Sequence, residues 1–250
     1  MEINNFDILM AHMDFVLPTD RYIVHILRRP KDCKALANTL GSNEAQRKIR
    51  SYCIDSLDYL KRKIPAIKEL CQSCNARAYL VVQPKDNFEC LANLGKKIFE
   101  TFQMKNYSVK PEHLLWTAYG ETHNSRRKQW ILDLDNDSMT EYLYIAHNDF
   151  PTGKRVWTVD EVLKLVKEML VECGKDPELA YVVPTKNGTH IITPPFNLKA
   201  AQAKCGMLYE GVKTVPTAIK YTAPYVEEVT HEKITGWLHK DGMTLLFCCS

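Results

Sequence analysis

The sequence predicts a protein of the mixed α/β (α+β) class, and three patterns carry this prediction. Strand-like runs rich in β-branched residues, such as Tyr22–Leu27, alternate with segments of helical period. Two helices are predicted to begin at capping boxes, because Asp86 and Thr158 are each followed three residues later by glutamate. An Asn-Gly signal within Thr185–Gly188 predicts a β-hairpin. Such alternation is typical of chains whose helices pack on sheets.

The first part of the chain predicts the order β-α-β-α. After Tyr22–Leu27 we expect a helix from about Glu44 to Lys63, basic along one side. Pro65 then starts a new turn, since proline suits the first position of a helix better than its interior. Ala76–Val82 reads as the next strand, which Gln83-Pro84 ends.

The second part predicts β-α-β-β-α-β, a split βαβ arrangement found in ferredoxin-like and RNA-recognition-like modules. Its predicted elements are a strand Trp130–Leu134, a helix opened by Thr158 and closed by Gly174, a hairpin of Tyr181–Pro184 with His190–Thr193, a helix Leu198–Leu208, and a hairpin of Trp237–His239 with Thr244–Cys248. We therefore expect one domain over residues 1–250, with an αβ module at 1–110 and the RNA-recognition-like module at 111–250. This topology hosts many functions and predicts none by itself.

The composition excludes few partners. The chain has 250 residues, 45% of them hydrophobic, and a net charge of +3, which neither establishes nor excludes binding to nucleic acid. No apolar run reaches about 18 residues, so we expect no membrane span. The 9 cysteines follow no export signal, which predicts reduced thiols in a cytoplasmic protein.

Several motifs of common enzymes are absent from the sequence. It has no G-x-x-x-x-G-K-[ST] loop, no G-x-G-x-x-G, no H-E-x-x-H and no G-x-S-x-G. These absences disfavour P-loop NTPases, dinucleotide-binding dehydrogenases, zincin proteases and α/β-hydrolases.

An acidic pair ends the predicted strand that begins at Trp130. Because residues two apart in a strand share a face, Asp133 and Asp135 are expected side by side. Two neighbouring carboxylates repel each other unless a cation lies between them, and they suit a divalent metal used in phosphoryl transfer. An EF-hand is disfavoured, since Ser138 and Tyr144 stand where its loop needs glycine and glutamate. The alternative is that the acids only solvate the strand end and start a turn.

The predicted hairpin supplies a second candidate motif, Thr185-Lys186-Asn187-Gly188 followed by His190. Gly188 allows the backbone to approach a ligand closely, and Lys186 adds positive charge. With His190 on the outgoing strand, these groups are suited to hold a triphosphate. The alternative is an ordinary Asn-Gly turn next to a hydrogen-bonded strand histidine.

In combination, the two motifs resemble the archaeo-eukaryotic primase superfamily. Asp133 and Asp135 match its first motif, and Thr185 with His190 matches its second, with a longer spacer than in many members. The likeness is to small, stand-alone primase-polymerase-like proteins of phages and mobile elements, and it extends to the strand Asn75–Tyr79 and the closing Lys240-Asp-Gly-x-Thr-Leu-Leu segment.

This resemblance implies an (αβ)2 unit before an RNA-recognition-like module, and a nucleotidyltransferase of the DNA primase or polymerase type. Asp133 and Asp135 would ligate Mg²⁺ or Mn²⁺, and His190 would contact the nucleotide phosphates. The implied partners are NTP or dNTP, a single-stranded DNA or RNA template, and a replicative helicase. The residues implied in nucleotide binding are Thr185, Lys186, Asn187, Gly188, His190 and Arg77.

The third family motif, a hydrophobic residue followed by an acid on a later strand, has no clear match. Glu227, Glu228 and Asp241 are the candidates. Two other functions therefore stay open. One is a catalytically degenerate module of the same fold that binds nucleotide or single-stranded nucleic acid, and the other is a metal-dependent nuclease or other phosphotransferase that uses the same acids.

Overall fold

A computed structural model describes most of the chain, namely residues 2–29, 47–105, 108–122, 128–135, 140–145, 148–156, 158–186, 188–197, 200–201, 218–222, 225–230, 240–241 and 243–249. The fold is a mixed α+β fold with antiparallel sheets, and this part of the prediction is confirmed. None of the described helices is long and apolar enough to cross a membrane. In chain order the helices and strands are β1 (Ile3–Asn4), α1 (Phe6–Ala11), β2 (Asp20–Arg28), β3 (Arg47–Ile54), α2 (Leu57–Ser73), β4 (Arg77–Asp86), α3 (Asn87–Gln103), α4 (Pro111–Glu121), β5 (Trp130–Asp135), β6 (Thr140–Ile145), β7 (Asn148–Val156), α5 (Val159–Glu172), β8 (Tyr181–Pro184), β9 (Gly188–Thr193), β10 (Ala218–Thr222), β11 (Tyr225–Thr230), β12 (Lys240–Asp241) and β13 (Thr244–Cys248).

The chain divides into two compact units. Unit 1 comprises Met1–Lys128 and Met243–Ser250, and unit 2 comprises Gln129–Gly242. The module boundary expected at residue 110 falls within unit 1, and the last strand, expected in the second module, also belongs to unit 1.

Unit 1 is built on a five-stranded sheet with the order β1-β13-β4-β2-β3, in which all neighbours are antiparallel. On one face, Ile23 and Val81 pack with Cys90 of α3 and Ala118 of α4. Helix α2 contacts β2, β3, β4 and β13. Its Lys68 ammonium lies 5.2 Å from the ring centre of Phe247.

The predicted helix from Glu44 to Lys63 is wrong for residues 47 to 54, which form strand β3. Tyr52 and Ile54 are buried two residues apart, and the basic residues lie along an edge strand. Edge strands commonly carry such charges, because charges discourage pairing with other chains. The helix that follows begins after Ser56, whose hydroxyl accepts the backbone N–H of Tyr59 at 3.2 Å.

Two prolines do not end their elements as predicted. Pro65 lies inside α2 rather than at the start of a new turn, with Leu60 and Ile67 fully buried on either side of it. An interior proline costs about 3 kcal/mol of helix stability in an exposed helix. The free energy gained by burying the apolar side chains of α2 outweighs this cost. Strand β4 continues past Pro84 to Asp86, because an irregularity in the β2–β4 register coincides with the proline.

Unit 2 contains a four-stranded antiparallel sheet with the order β12-β5-β9-β8. Helix α5 comes after β5, β6 and β7 in the chain, and it packs on the sheet face that carries Leu132, Leu134 and Ile191. Two further hairpins, β6–β7 and β10–β11, form separate two-stranded sheets that we did not predict.

Local signals around α5 are confirmed. The Thr158 hydroxyl accepts the backbone N–H of Glu161, and the Glu161 carboxylate accepts the backbone N–H of Thr158 at 2.9 Å. Gly174 follows the helix with a positive φ of 67°, a conformation that glycine adopts without strain. The hairpin of β8 and β9 is also confirmed.

Of the second predicted hairpin, the strand Trp237–His239 lies outside the described residues, and Lys240–Asp241, predicted as its turn, instead forms strand β12. Strand β12 pairs with β5 in unit 2, whereas β13 pairs with β4 and β1 in unit 1. Asp241 therefore lies in a sheet strand rather than in a hairpin turn. Of the predicted helix Leu198–Leu208, only Ala200 and Ala201 lie within the described residues, and Trp237–His239 lies outside them.

Candidate functional site

The two candidate motifs lie on adjacent strands of the unit 2 sheet. Strands β5 and β9 pair so that Asp133 is directly opposite His190 and Asp135 is opposite Gly188. The next strand, β8, places Val183 opposite His190 on its other side. The structure therefore brings together Asp133, Asp135, Gly188 and His190.

The alternation of strand β5 determines which sheet face carries the acids. Leu132 and Leu134 are fully buried against α5, so Asp133 lies on the opposite face. Ile131 and Ile192 share the face of Asp133 and are also fully buried. The acidic end of β5 thus continues an apolar sheet face, which lowers the local dielectric around its charges.

Asp133 and His190 are in direct contact. The distance from Asp133 Oδ1 to His190 Nε2 is 3.3 Å, and their side chains are 22% and 9% exposed. With a proton on Nε2, the imidazole donates to the carboxylate, which fixes the orientation of the ring. Partial burial also reduces the competition of water for this contact.

Asp135 ends strand β5, and its side chain lies outside the described set. The residue opposite it is Gly188. Directly opposite residues have Cβ atoms about 5 Å apart, so a glycine partner leaves space beside this position. The register therefore places no side chain of strand β9 directly opposite Asp135.

Gly188 is part of a strand rather than part of the predicted turn. The backbone N–H of Thr185 donates to the Gly188 carbonyl at 3.0 Å, and Gly188 is the first residue of β9. Lys186 is exposed, and Asn187 lies outside the described residues. Thr185 and Lys186 thus lie at the end of the hairpin nearest Asp135.

Among the three candidates for a third acid, the strand register distinguishes Asp241. It pairs with Ile131 across β12 and β5, so it lies on the sheet face of Asp133, in a diagonal position. Glu227 and Glu228 lie in β11, within a separate two-stranded sheet. The side chains of all three acids are outside the described set.

Arg77 is the predicted nucleotide-binding residue that unit 2 does not contain. It begins β4 in unit 1, is buried, and pairs with Leu27 and Cys248. The other predicted nucleotide-binding residues all belong to unit 2.

Carboxylate oxygens are the ligands that Mg²⁺ and Mn²⁺ prefer, so the acids of this face have suitable chemistry. Within the described part of the chain, no group of three or more His, Cys, Asp or Glu side chains is arranged to hold a metal ion. A complete ligand set therefore requires side chains beyond Asp133, and Asp135 and Asp241 share its face by register.

No protein-family model, curated protein or solved structure matches the chain. The interpretation of the site consequently depends on the strand register, the contact between Asp133 and His190, and the chemistry of these residues.

Unit 1 contains a second polar cluster, which sequence patterns did not indicate. His25 Nδ1 lies 2.7 Å from the Ser51 hydroxyl, and its ring meets the Trp116 ring edge to face at 5.8 Å. The Lys48 ammonium lies 5.1 Å from the centre of the same indole ring. Burial, and secondarily the charge of Lys48, lower the pKa of His25 to about 4.

Proposed function

We propose that this chain catalyses metal-dependent, template-directed nucleotidyl transfer of the DNA primase or primase-polymerase type. The observation that carries the proposal is the contact between Asp133 and His190 on adjacent strands. A metal ligand and a phosphate-binding histidine must both reach one triphosphate, and residues at this separation can do so.

The strand order supports the same proposal. In chain order the four strands of the sheet are β5, β8, β9 and β12, and β9 lies between β5 and β8. Strands β5 and β8 are thus parallel to each other and joined through α5, which is a split βαβ arrangement. We propose that unit 2 is the RNA-recognition-like module of an archaeo-eukaryotic primase.

In the proposed reaction, Mg²⁺ or Mn²⁺ held by Asp133 and Asp135 would neutralise the triphosphate and lower the pKa of the primer 3′-hydroxyl. His190, protonated on both ring nitrogens, would keep Nε2–H on Asp133 and donate Nδ1–H to a phosphate oxygen of the incoming NTP or dNTP. Lys186, exposed on the hairpin loop, would add positive charge beside the same phosphates. A single-stranded template and a replicative helicase are the proposed partners.

The alternative is a degenerate module that binds nucleotide or single-stranded nucleic acid without polymerising it. The observation that favours it is the lack of a three-ligand group among the described side chains. Under this alternative, the Asp133–His190 pair contributes to nucleotide binding alone.

The test is incorporation of labelled nucleotide on primed and unprimed templates, with Mg²⁺ and with Mn²⁺. Wild type is compared with Asp133→Asn, Asp135→Asn and the matched control Glu168→Gln, which alters an exposed acid of α5. We expect both aspartate variants to lose at least about 100-fold in rate, because several kcal/mol of charge stabilisation are removed. The control is expected to stay active, and all variants are expected to unfold at similar temperatures.

Each other outcome has a defined meaning. Mn²⁺-dependent nucleotide binding without product would establish the degenerate module. Shortening of a labelled oligonucleotide would indicate a nuclease. Neither product nor binding, or full activity of Asp133→Asn, would overturn the proposal.

A further inference from the structure

Helix α3 carries an exposed apolar stripe that the candidate site does not use. Its members, together with the capping residue of the helix, are 39% to 77% exposed. At 100° per residue, the helical positions fall within about 100° of the helix circumference. They are Phe88, Leu91, Ile98, Phe99 and Phe102, followed by Met104 at the C-cap.

The stripe is not the face that anchors α3 to unit 1. That face carries Cys90 and Leu94, which pack with Ile23 and Val81 of the sheet. Elsewhere in the described chain, exposed large apolar residues are scattered, as Val16, Val171 and Leu179 are. Scattered residues of this kind are normal on protein surfaces, whereas a contiguous stripe indicates an interface.

The area of the stripe matches one side of a stable dimer. A phenylalanine buries about 200 Å² when it is fully covered, so six side chains with these exposures offer roughly 700 Å². The largest apolar patch of a typical monomer is about 300–600 Å², and a standard interface buries about 800 Å² per partner. The stripe alone therefore supplies most of the area that one subunit of a dimer needs.

Gly95 lies in the middle of the stripe, both along the helix and around it. A Cβ added there would meet no atom within 4 Å, so the packing of unit 1 does not require glycine at this position. Glycine destabilises an exposed helix relative to alanine, but it allows a second helix to approach the backbone closely.

The surroundings of the stripe have the features of an interface. Beside it, a groove of about 350 Å³ is lined by Leu94, Ile98 and Phe102 of α3 and by Val109, Pro111 and Leu114. On the other side, Lys96 and Glu100 form an ion pair at 3.9 Å, which gives the apolar centre a polar rim.

We infer that the α3 stripe binds a second copy of this chain, in an antiparallel helix pair that crosses at Gly95. Positions seven residues before and after Gly95 meet across the two-fold axis, so Phe88 of each copy faces Phe102 of the other. Leu91 of each copy likewise meets Phe99 of the other. The same patch is thus complementary to itself, as a two-fold interface requires.

The experiment measures molecular mass by light scattering and sedimentation from about 1 μM to about 100 μM protein, the range of a moderate affinity. Wild type is compared with Phe99→Glu, Gly95→Ala and a control, Val171→Glu, which places the same charge on an exposed apolar site of α5. Far-UV circular dichroism and thermal unfolding establish that each variant is folded.

We expect wild type and Val171→Glu to form dimers. Phe99→Glu is expected to raise the dissociation constant more than about 100-fold, because a charge would be buried without a partner. Gly95→Ala is expected to raise it about 10-fold, because the methyl group separates the crossing helices. A wild type that stays monomeric at all concentrations would overturn the inference, and so would a dimer that tolerates Phe99→Glu. Capture of an unrelated helical partner by a monomeric wild type would assign the stripe to that partner instead.

Discussion

Asp133 Oδ1 and His190 Nε2 lie 3.3 Å apart across the paired strands β5 and β9. Each residue belongs to a motif that is weak by itself, since acidic strand ends and Asn-Gly hairpins are common in proteins. Their contact shows that one sheet face carries both motifs. The proposed function and the prediction for His190 follow from that contact.

The role of His190 can be separated from a packing role by two substitutions. His190→Ala removes the proposed N–H donor to phosphate, and we expect kcat/KM for the nucleotide to fall about 10- to 100-fold, because hydrogen bonds to charged groups contribute about 1.5–3 kcal/mol. His190→Gln keeps an N–H donor and should recover part of the loss. Steady-state incorporation at varied nucleotide concentration measures both, with His113→Gln, at an exposed site of α4, as control. Equal activity of all variants would contradict a phosphate-binding role.

Asp241 is predicted to be the third acid of the site. Asp241→Asn should reduce nucleotide incorporation by at least about 100-fold, because it removes charge that balances a divalent metal. Glu227→Gln and Glu228→Gln are matched controls, since both residues lie in the separate β10–β11 sheet. A larger loss in either control than in Asp241→Asn would refute the assignment from register.

The capping box of α5 is expected to contribute measurably to the stability of unit 2. Thr158→Ala removes the hydroxyl that accepts the Glu161 N–H, and we expect a loss of about 1 kcal/mol in the free energy of unfolding. Glu161→Gln keeps an acceptor for the Thr158 N–H and should cost less. Urea denaturation measures the difference, and equal losses in the two variants would argue against the box.

Gly95→Ala should have opposite effects on folding and on association. At protein concentrations too low for dimers, we expect the variant to gain about 0.5–1 kcal/mol in unfolding free energy, because alanine favours an exposed helix and the added methyl has open space. Denaturation of dilute samples tests this prediction independently of the dimer. A destabilised variant would mean that Gly95 is required by the monomer fold.

The stability of unit 1 should depend on pH through His25. Its pKa is lowered from the ordinary 6.5 to about 4 by burial and by Lys48. Between pH 6.5 and about pH 4, His25 is protonated in the unfolded chain but neutral in the folded protein. The contribution of neutral His25 to the free energy of unfolding is therefore complete above pH 6.5, and it decreases as the pH falls to about 4. Urea denaturation at pH 7 and pH 5 should show a smaller difference for His25→Gln than for wild type. An unchanged difference would assign the pH dependence to other groups.

The elements that sequence could predict are those specified by local signals. Thr158 with Glu161 begins a helix through its own backbone contacts, and Gly174 ends it by adopting a positive φ. The β8–β9 hairpin is similarly local, because its two strands are neighbours in sequence and pair directly from Pro184 with Thr189 onwards. The hairpin signal identified the second candidate motif, and the alternation of the strand that begins at Trp130 identified the first.

Contacts between distant segments were not predictable in the same way. Strand β3 carries Arg47, Lys48 and Arg50, whose charges suit a helix surface as well as an edge strand, and only its pairing with β2 decides between them. The Lys240-Asp-Gly sequence has the composition of a hairpin turn, yet Lys240 and Asp241 form a strand that pairs with β5, and the following strand β13 pairs with β4. No local sequence pattern specifies which strands these segments pair with. The shared sheet face of Asp241 and Asp133 was therefore evident only from the pairing of β12 with β5.

The last strand, β13, pairs on one side with β1 and on the other with β4. Unit 1 thus joins the first and the last segments of the chain in one sheet, while unit 2 is continuous in sequence. During synthesis from the N-terminus, every segment of unit 2 leaves the ribosome before β13 does. Pairing across such a separation is slow, because the entropy of closing the chain must be lost before the strand contributes any contacts. The nascent protein therefore exposes the unpaired edges of β1 and β4 until β13 emerges, so the sheet of unit 1 is completed only after all of unit 2 has been synthesised.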